Sequence, residues 1–462
     1  MRKHQHPTVN EITEGVIWKQ LLLFFFPIML GTFFQQLYNT VDAIIVGQFV
    51  GKEALAAVGG ATGTLINLLV GFFVGLSSGA TVIISQYYGA RKVEQSSDAV
   101  HTAVAMSLIG GAIMMVIGIF GAPVALRAMG TPENIMNYSL IYMIVYFIGL
   151  IPNLLYNVGS GILRAVGDSK RPMYFLIVCC LANVVLDLLF VLVFQWGVFG
   201  AAAATCLAQF ISGGLVYLSL SQAEDDRYRL IRKRIRLHGE LLKEIVVIGI
   251  PAGLQSVMYS VSNIVIQASV NTFGTDTIAA YTAYGKIDGI FWMIMGAFGV
   301  AITTFVGQNF GARKIDRIHK SVKVCLAMAF GTALGMSGIL IVTSRWIYHL
   351  FTQDASVIEV GMQMLLYLAP YYFTYVCIEV LSGAVRGTGD SVIPMIMTCM
   401  GVCVLRVVWI WIAVPLNPTI ENVLFSYPLT WSLTSILFVL YYLQGGWLKR
   451  RLKKEERKGL QN

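Results

Sequence analysis

"VCCLANVVLDLLFVLVF", residues 178–194, is apolar over a length that can lie in lipid, yet it carries Asn183 and Asp187. A spanning helix needs roughly 20 mainly apolar residues, and an ionisable side chain at that depth is costly unless it faces a cavity or a partner. The surrounding chain has the same character. Of its 462 residues, 56% are hydrophobic and 12% charged, where a soluble domain carries about 25% charged residues. The apolar windows predict an all-α polytopic membrane protein with twelve transmembrane helices. They fall near 17–48, 55–86, 98–120, 135–163, 172–194, 197–220, 242–270, 277–308, 322–344, 357–385, 392–414 and 421–446.

The N-terminal "MRKHQHPTVNEITEG" is polar and has no short apolar core ahead of a small-residue cleavage site, so no removable signal peptide is expected. Lys and Arg crowd one set of helix ends: Arg91–Lys92, Lys170–Arg171, "RYRLIRKRIR" at 227–236, Arg313 to Lys320, and the tail "KRRLKKEERK" at 449–458. The opposite loops offer only Lys52, Arg127 and Arg345. This bias predicts a multi-pass protein of the plasma membrane with both termini and the central linker in the cytoplasm. The net charge of +9 is then topology plus attraction to anionic lipid headgroups. No base-stacking pattern accompanies it, so nucleic acid is not an expected partner.

All seven cysteines fall inside predicted helices, where they serve as small apolar residues and not as a disulfide frame. The six histidines, His4, His6, His101, His238, His319 and His349, sit at or beyond predicted helix ends without metal-ligand spacing. An enzyme is therefore not expected. An ATP-driven pump is disfavoured too, because "GQFVGK" at 47–52 has the wrong spacing for a phosphate loop.

The chain repeats itself. "SQYYGARK" at 85–92 recurs as "GQNFGARK" at 307–314, and "GILRAVGDSKRPM" at 161–173 as "GAVRGTGDSVIPM" at 383–395, both offset by 222 residues. Two six-helix bundles follow. Six is even, so the halves insert the same way up and are expected to relate by a pseudo-two-fold along the membrane normal, with a cleft between them. The expected domains are an N-lobe at 1–220, a basic linker at 221–241, a C-lobe at 242–447 and a basic tail at 448–462. Within the repeated motifs, Gly89 and Gly311 suit a left-handed helix stop, and Asp168 or Ser169 suits a cap ahead of Pro172.

The carboxylate at 187 belongs to a set. Asp42 lies about six residues, roughly 9 Å, below the outer end of the first helix, and Asp187 sits about as deep. Thr205 on the sixth helix is roughly 12 Å down, and Asn183 and Asp187, four apart, share a helix face. Two carboxyls close together in a poorly solvated place resist joint ionisation, so the pair is expected to hold a proton and titrate as a unit. The same oxygens suit a hard monovalent cation such as sodium, and they also suit plain helix-to-helix hydrogen bonding. The second half does not copy the pair: Leu405 and Trp409 stand at the positions of Asn183 and Asp187. It holds Lys286, Asp288, Glu379 and Arg406 instead, which suit a structural salt bridge and a substrate contact equally; Asp288 and Arg406 lie at similar depths and are candidates to pair.

"LYNTVDAIIVGQFVG" at 37–51, "NVVLDLLFV" at 183–191, "GVFGAAAAT" at 197–205 and the two GARK loops resemble the multidrug and toxic compound extrusion (MATE) family, nearly over the whole chain. That resemblance implies secondary antiport of amphipathic, often cationic organic compounds against H+ or Na+, with no bound cofactor. It implies a cation site at Asp42, Asn183, Asp187 and Thr205, joined by a fourth-helix asparagine for which Asn153 and Asn157 compete. Pro27 corresponds to a proposed bending point of the first helix. Flat apolar cations would meet Phe34, Tyr38, Met258, Tyr259 and Trp292 in the cleft, since aromatic faces attract cations and methionine adapts to varied shapes. The expected partners are small organic molecules and membrane lipids, with the protein a monomer. A flippase for a lipid-linked precursor shares this architecture and is the rival reading.

Overall fold

The computed structural model describes residues 11–459, and among them there is no strand. The leader before residue 11, with His4 and His6, lies outside the described residues. Eleven helices are long and apolar enough to cross a membrane, and a bent pair makes a twelfth. They are α1 (Ile17–Val50), α2 (Lys52–Gly89), α3 (Val93–Ala128), α4 (Glu133–Ile148 with Leu150–Ala165), α5 (Lys170–Val193), α6 (Gly197–Ser221), α7 (Gly239–Phe273), α8 (Thr275–Gly311), α9 (Ile315–His349), α10 (Ala355–Gly387), α11 (Val392–Leu416) and α12 (Ile420–Leu443).

The irregularities have local causes. α4 bends by 49° after Ile148, where Pro152 cannot donate to the Ile148 carbonyl. α10, its counterpart, tightens to a 3-10 segment over Ala369–Tyr375, which contains Pro370. π-helical turns close α1 at Val46–Val50 and α5 at Leu188–Val193, the latter directly after Asp187. A third, Cys399–Val404 in α11, ends just before Leu405 and Arg406. π-turns are rare and concentrate at functional sites.

The repeated loops correct one expectation. Gly89 and Gly311 remain within their helices, and the left-handed residues are Arg91 (φ 57) and Arg313 (φ 56). Lys92 N donates to Tyr87 O at 3.0 Å and Lys314 N to Asn309 O at 2.9 Å. These are the wide bonds of a Schellman stop, which require the left-handed residue one position before the donor. Asp168, and not Ser169, caps α5, accepting from the N–H groups of Lys170 and Arg171 at 3.0 and 3.1 Å. None of the seven cysteines is paired.

The chain forms two compact units, Leu23–Gly253 and the chain up to Leu22 together with Leu254 onward. The first unit runs past the expected linker because that segment is folded down. Leu230, Ile245 and Ile248 join a buried core with Val100, Ile162 and Leu220. Arg227 lies 4.0 Å over the Tyr88 ring and bonds Asp225 at 2.6 Å. The Ile231 N–H donates to His101 Nε2 at 2.9 Å. His101 is thus fully buried inside α3 and not at a helix end as expected. In this unit α2 and α7 cross at contact distance through Gly75, Gly79, Gly249 and Gly253, where a Cβ on Gly253 would stand 2.7 Å from Phe72 O. Small residues four apart let helix backbones meet in lipid. In the second unit, Gly383 and Gly387 of α10 sit as closely on Gly299 O and Thr303 O of α8, at 2.9 and 2.7 Å from a notional Cβ.

Candidate functional site

In the first unit, α1, α5 and α6 bring Asp42, Asn183, Asp187 and Thr205 into the interior; Asn183 and Asp187 are fully buried, and Asp42 and Thr205 nearly so. The Asp187 carboxyl lies within electrostatic reach of Asp42. Tyr142 of α4 faces both Asp42 and Thr205, and Tyr146, one turn on, faces Gln209. The wall behind them is apolar, built from Ile45, Val46, Val191, Val198 and Ala201.

Polar atoms here greatly outnumber protein partners. Both Asp187 oxygens, both Asn183 amide atoms, both Gln209 amide atoms, Asp42 Oδ1 and Thr205 Oγ1 are buried without a hydrogen bond to the described residues. An unsatisfied buried polar group costs about 1–3 kcal/mol, so such groups are seldom left together without a reason. Oxygens gathered in an apolar wall can hold a proton or a small cation.

Asn157 and Pro27 were also expected to take part. Asn157 donates to Asn153, to its carbonyl at 2.9 Å and its side-chain oxygen at 3.0 Å, so the Asn157 amide nitrogen is engaged within α4. Pro27 lies inside α1, well before Asp42 in the chain. Phe34 and Tyr38, both half-buried, lie on α1 between them, and Tyr38 is within electrostatic reach of Asp42. Tyr142, Tyr146 and Gln209 were not singled out from sequence. The signal was present, because Tyr142–Tyr146 and Thr205–Gln209 have the same four-residue spacing as Asn183–Asp187.

The second unit gathers its charges around aromatic rings. Asp288 accepts from Trp292 Nε1 at 2.6 Å and Tyr284 Oη at 3.2 Å. Arg406 donates to Thr430 at 3.2 Å and lies 4.2 Å over the Tyr427 ring. The anticipated Asp288–Arg406 ion pair does not form; each charge has found uncharged partners first. Glu379 accepts from Tyr375 at 3.0 Å, and Tyr375 shares a 3.2 Å contact with Tyr259. Trp431 is fully buried among Trp292, Tyr375 and Tyr427, with ring centroids 6.0, 5.9 and 5.4 Å away. Lys286 is exposed, two residues and therefore about half a turn from Asp288 on α8, outside this cluster. Met258 is half-buried beside Tyr259 in sequence. Among the described residues no group of His, Cys, Asp and Glu has the arrangement of a metal site.

The family model described as MatE matches twice, over residues 27–189 and 251–412. The chain belongs to the MatE family. The double match falls on the two halves that the 222-residue repeat delimits. MatE proteins are transporters, not enzymes, and this one is a multi-pass membrane transporter of the multidrug efflux family. It is 26% identical to the probable multidrug resistance protein YoeA of Bacillus subtilis, with 98% of this chain and 99% of that one covered. It is 28% identical to the probable multidrug resistance protein YpnP of the same organism, over 86% and 88% of the two chains. The fold matches a solved multidrug resistance MATE transporter of the MOP superfamily in an outward-facing conformation. The TM-score is 0.88 and the identity 22%, over 97% of this chain and 99% of that one.

Proposed function

We propose that this transporter exports amphipathic, cationic organic compounds in exchange for H+ or Na+, with the coupling ion held in the first unit by Asp42, Asn183, Asp187 and Thr205. One observation carries the reading: buried oxygens without protein partners converge from three helices in an apolar wall. A purely structural role would have hydrogen-bonded these groups to one another. Gln209 and Tyr142 complete the set, Gln209 with a second amide oxygen and Tyr142 with a hydroxyl against Asp42. Asp288, Glu379 and Arg406 are already engaged by neighbours, which suits shaping of the aromatic cluster better than carriage of an ion.

The coupling is competitive. A cationic substrate is favoured while the acidic pair is charged, and an entering ion neutralises the pair, relays its effect along α1 toward Pro27 and releases the substrate. Phe34 and Tyr38 of the first unit and, separately, Met258, Tyr259 and Trp292 of the second have the aromatic and thioether side chains that flat cations prefer. The transporter works as a monomer in the plasma membrane, termini inside, and needs no cofactor beyond the ion.

The test is dye efflux from vesicles containing the purified protein. An imposed proton or sodium gradient is expected to drive ethidium out, and collapsing both gradients to stop it. No gradient-driven movement across a panel of organic cations, together with transfer of a lipid-linked precursor between leaflets, would overturn the proposal in favour of a flippase.

A further inference from the structure

We propose that the N-terminal end of α9 carries a binding site for the headgroup phosphate of an anionic phospholipid. A cavity of about 420 Å³ opens there, lined by Ile17 and by residues 313–317 and 320. Four of its lining side chains, Arg313, Lys314, Arg317 and Lys320, are cationic, and one, Asp316, is anionic. Two of the cations are already committed. Lys314 donates to Thr13 O at 3.0 Å and lies 3.9 Å from Glu14, while Arg317 donates to Ile12 O at 3.0 Å and to Gly15 O. They pin the segment that leads into α1.

The side chains of Arg313 and Lys320 have no hydrogen bond or ion pair to the described residues, yet both residues line the cavity. Arg313 is held there at some expense. It occupies the left-handed position of the Schellman stop, which glycine fills without the roughly 1 kcal/mol that other residues incur. No side chain caps α9 at Lys314, so the first-turn N–H groups of Ile315 and Asp316, which also line the cavity, add their positive end of the helix dipole. Excess positive charge on an open cavity with donor groups is the recognition chemistry of a phosphate.

Lipid, and not a soluble phosphate, is indicated by what adjoins the cavity. Lys320 heads an exposed face of α9 that continues through Lys323, Ala327, Gly331 and Leu334, the side along which an acyl chain would lie. Val16 and Trp18, flanking Ile17, are 59% and 56% exposed, and tryptophan favours the headgroup level. The cavity lies at the helix ends that carry the Lys and Arg excess, where anionic lipids are attracted.

The experiment measures lipid binding to the detergent-purified full chain by native mass spectrometry and by thermal melting, with short-chain phosphatidylglycerol, phosphatidylcholine and inorganic phosphate as probes. Phosphatidylglycerol is expected to bind and raise the melting temperature, and the double variant R313Q/K320Q to weaken that binding about thirtyfold. R313K/K320R, which keeps the charge, is expected to retain most of it and to show that substitution at these positions leaves the fold intact. A second double variant, K233Q/K243Q, removes the same charge from exposed positions elsewhere and is expected to bind like the parent. Equal weakening in both glutamine variants, or none in R313Q/K320Q, would overturn the proposal. Inorganic phosphate that binds with the same dependence on Arg313 and Lys320 would overturn the assignment to lipid and make this a free-anion site.

Discussion

Asp42 and Asp187 share one buried place but not one set of neighbours. Tyr142 faces Asp42, whereas both Asp187 oxygens lack a protein hydrogen bond. Asp187→Asn and Asp42→Asn are each expected to abolish gradient-driven efflux with normal membrane insertion, and wild-type efflux by both would remove the coupling role. Tyr142→Phe deletes one hydroxyl and leaves the carboxyls, so transport should persist with apparent affinity for the coupling ion lowered about tenfold, the value of one hydrogen bond to a charged group. The ion dependence of efflux rates checks this. The acidic members of the set were legible in the sequence because charge in an apolar run is conspicuous. Gln209, Tyr142 and Tyr146 were not, since a tyrosine or glutamine in such a run reads equally well as packing. Asn157 is a different case: spacing puts it on a face with Asn153, and nothing in spacing says that its amide donates to that residue.

At the scale of elements, the α2–α7 crossing shows how four glycines fix a backbone distance. A side chain on Gly79 would meet the Ile245 carbonyl and the Gly249 backbone, atoms that belong to a helix and cannot swing aside. Gly79→Leu is therefore expected to destabilise the first unit by about 1–3 kcal/mol, as overpacking does, and Gly79→Ala by less. Thermal melting in detergent, read against Gly110→Ala, where a Cβ meets nothing within 4 Å, separates this contact from a general effect of losing glycine. The helices themselves and the cap at Asp168 were legible, as periodicity and capping are local. The crossing was not, because glycines four apart also occur where no partner arrives. The loop stops were placed correctly, yet the left-handed residue proved to be an arginine, a choice that a conformational preference for glycine argues against.

For the whole molecule, the 222-residue repeat made the twelve helices and two halves legible, and the competitive scheme follows from having one acidic set for two such halves. Linkage requires substrate to lower ion affinity by the same factor that ion lowers substrate affinity. In detergent, substrate affinity should weaken as pH falls or sodium rises, and Asp42→Asn should flatten the response. Calorimetric titration over both variables measures it, and affinity indifferent to both in the wild type would exclude direct competition. In vesicles each charge carried inward contributes about 2.3 kcal/mol per 100 mV to expulsion. The boundary between units was not legible, because it depends on side-chain contacts such as Ile231 to His101 that fasten residues 221–241 to the first unit. The unit boundaries fall inside unbroken helices, α1 at Leu22 and α7 at Gly253, each within a few residues of a proline, Pro27 and Pro251. In mechanical terms residues 221–241 are a riveted strap and not a slack cord, so they move with the first unit as one piece.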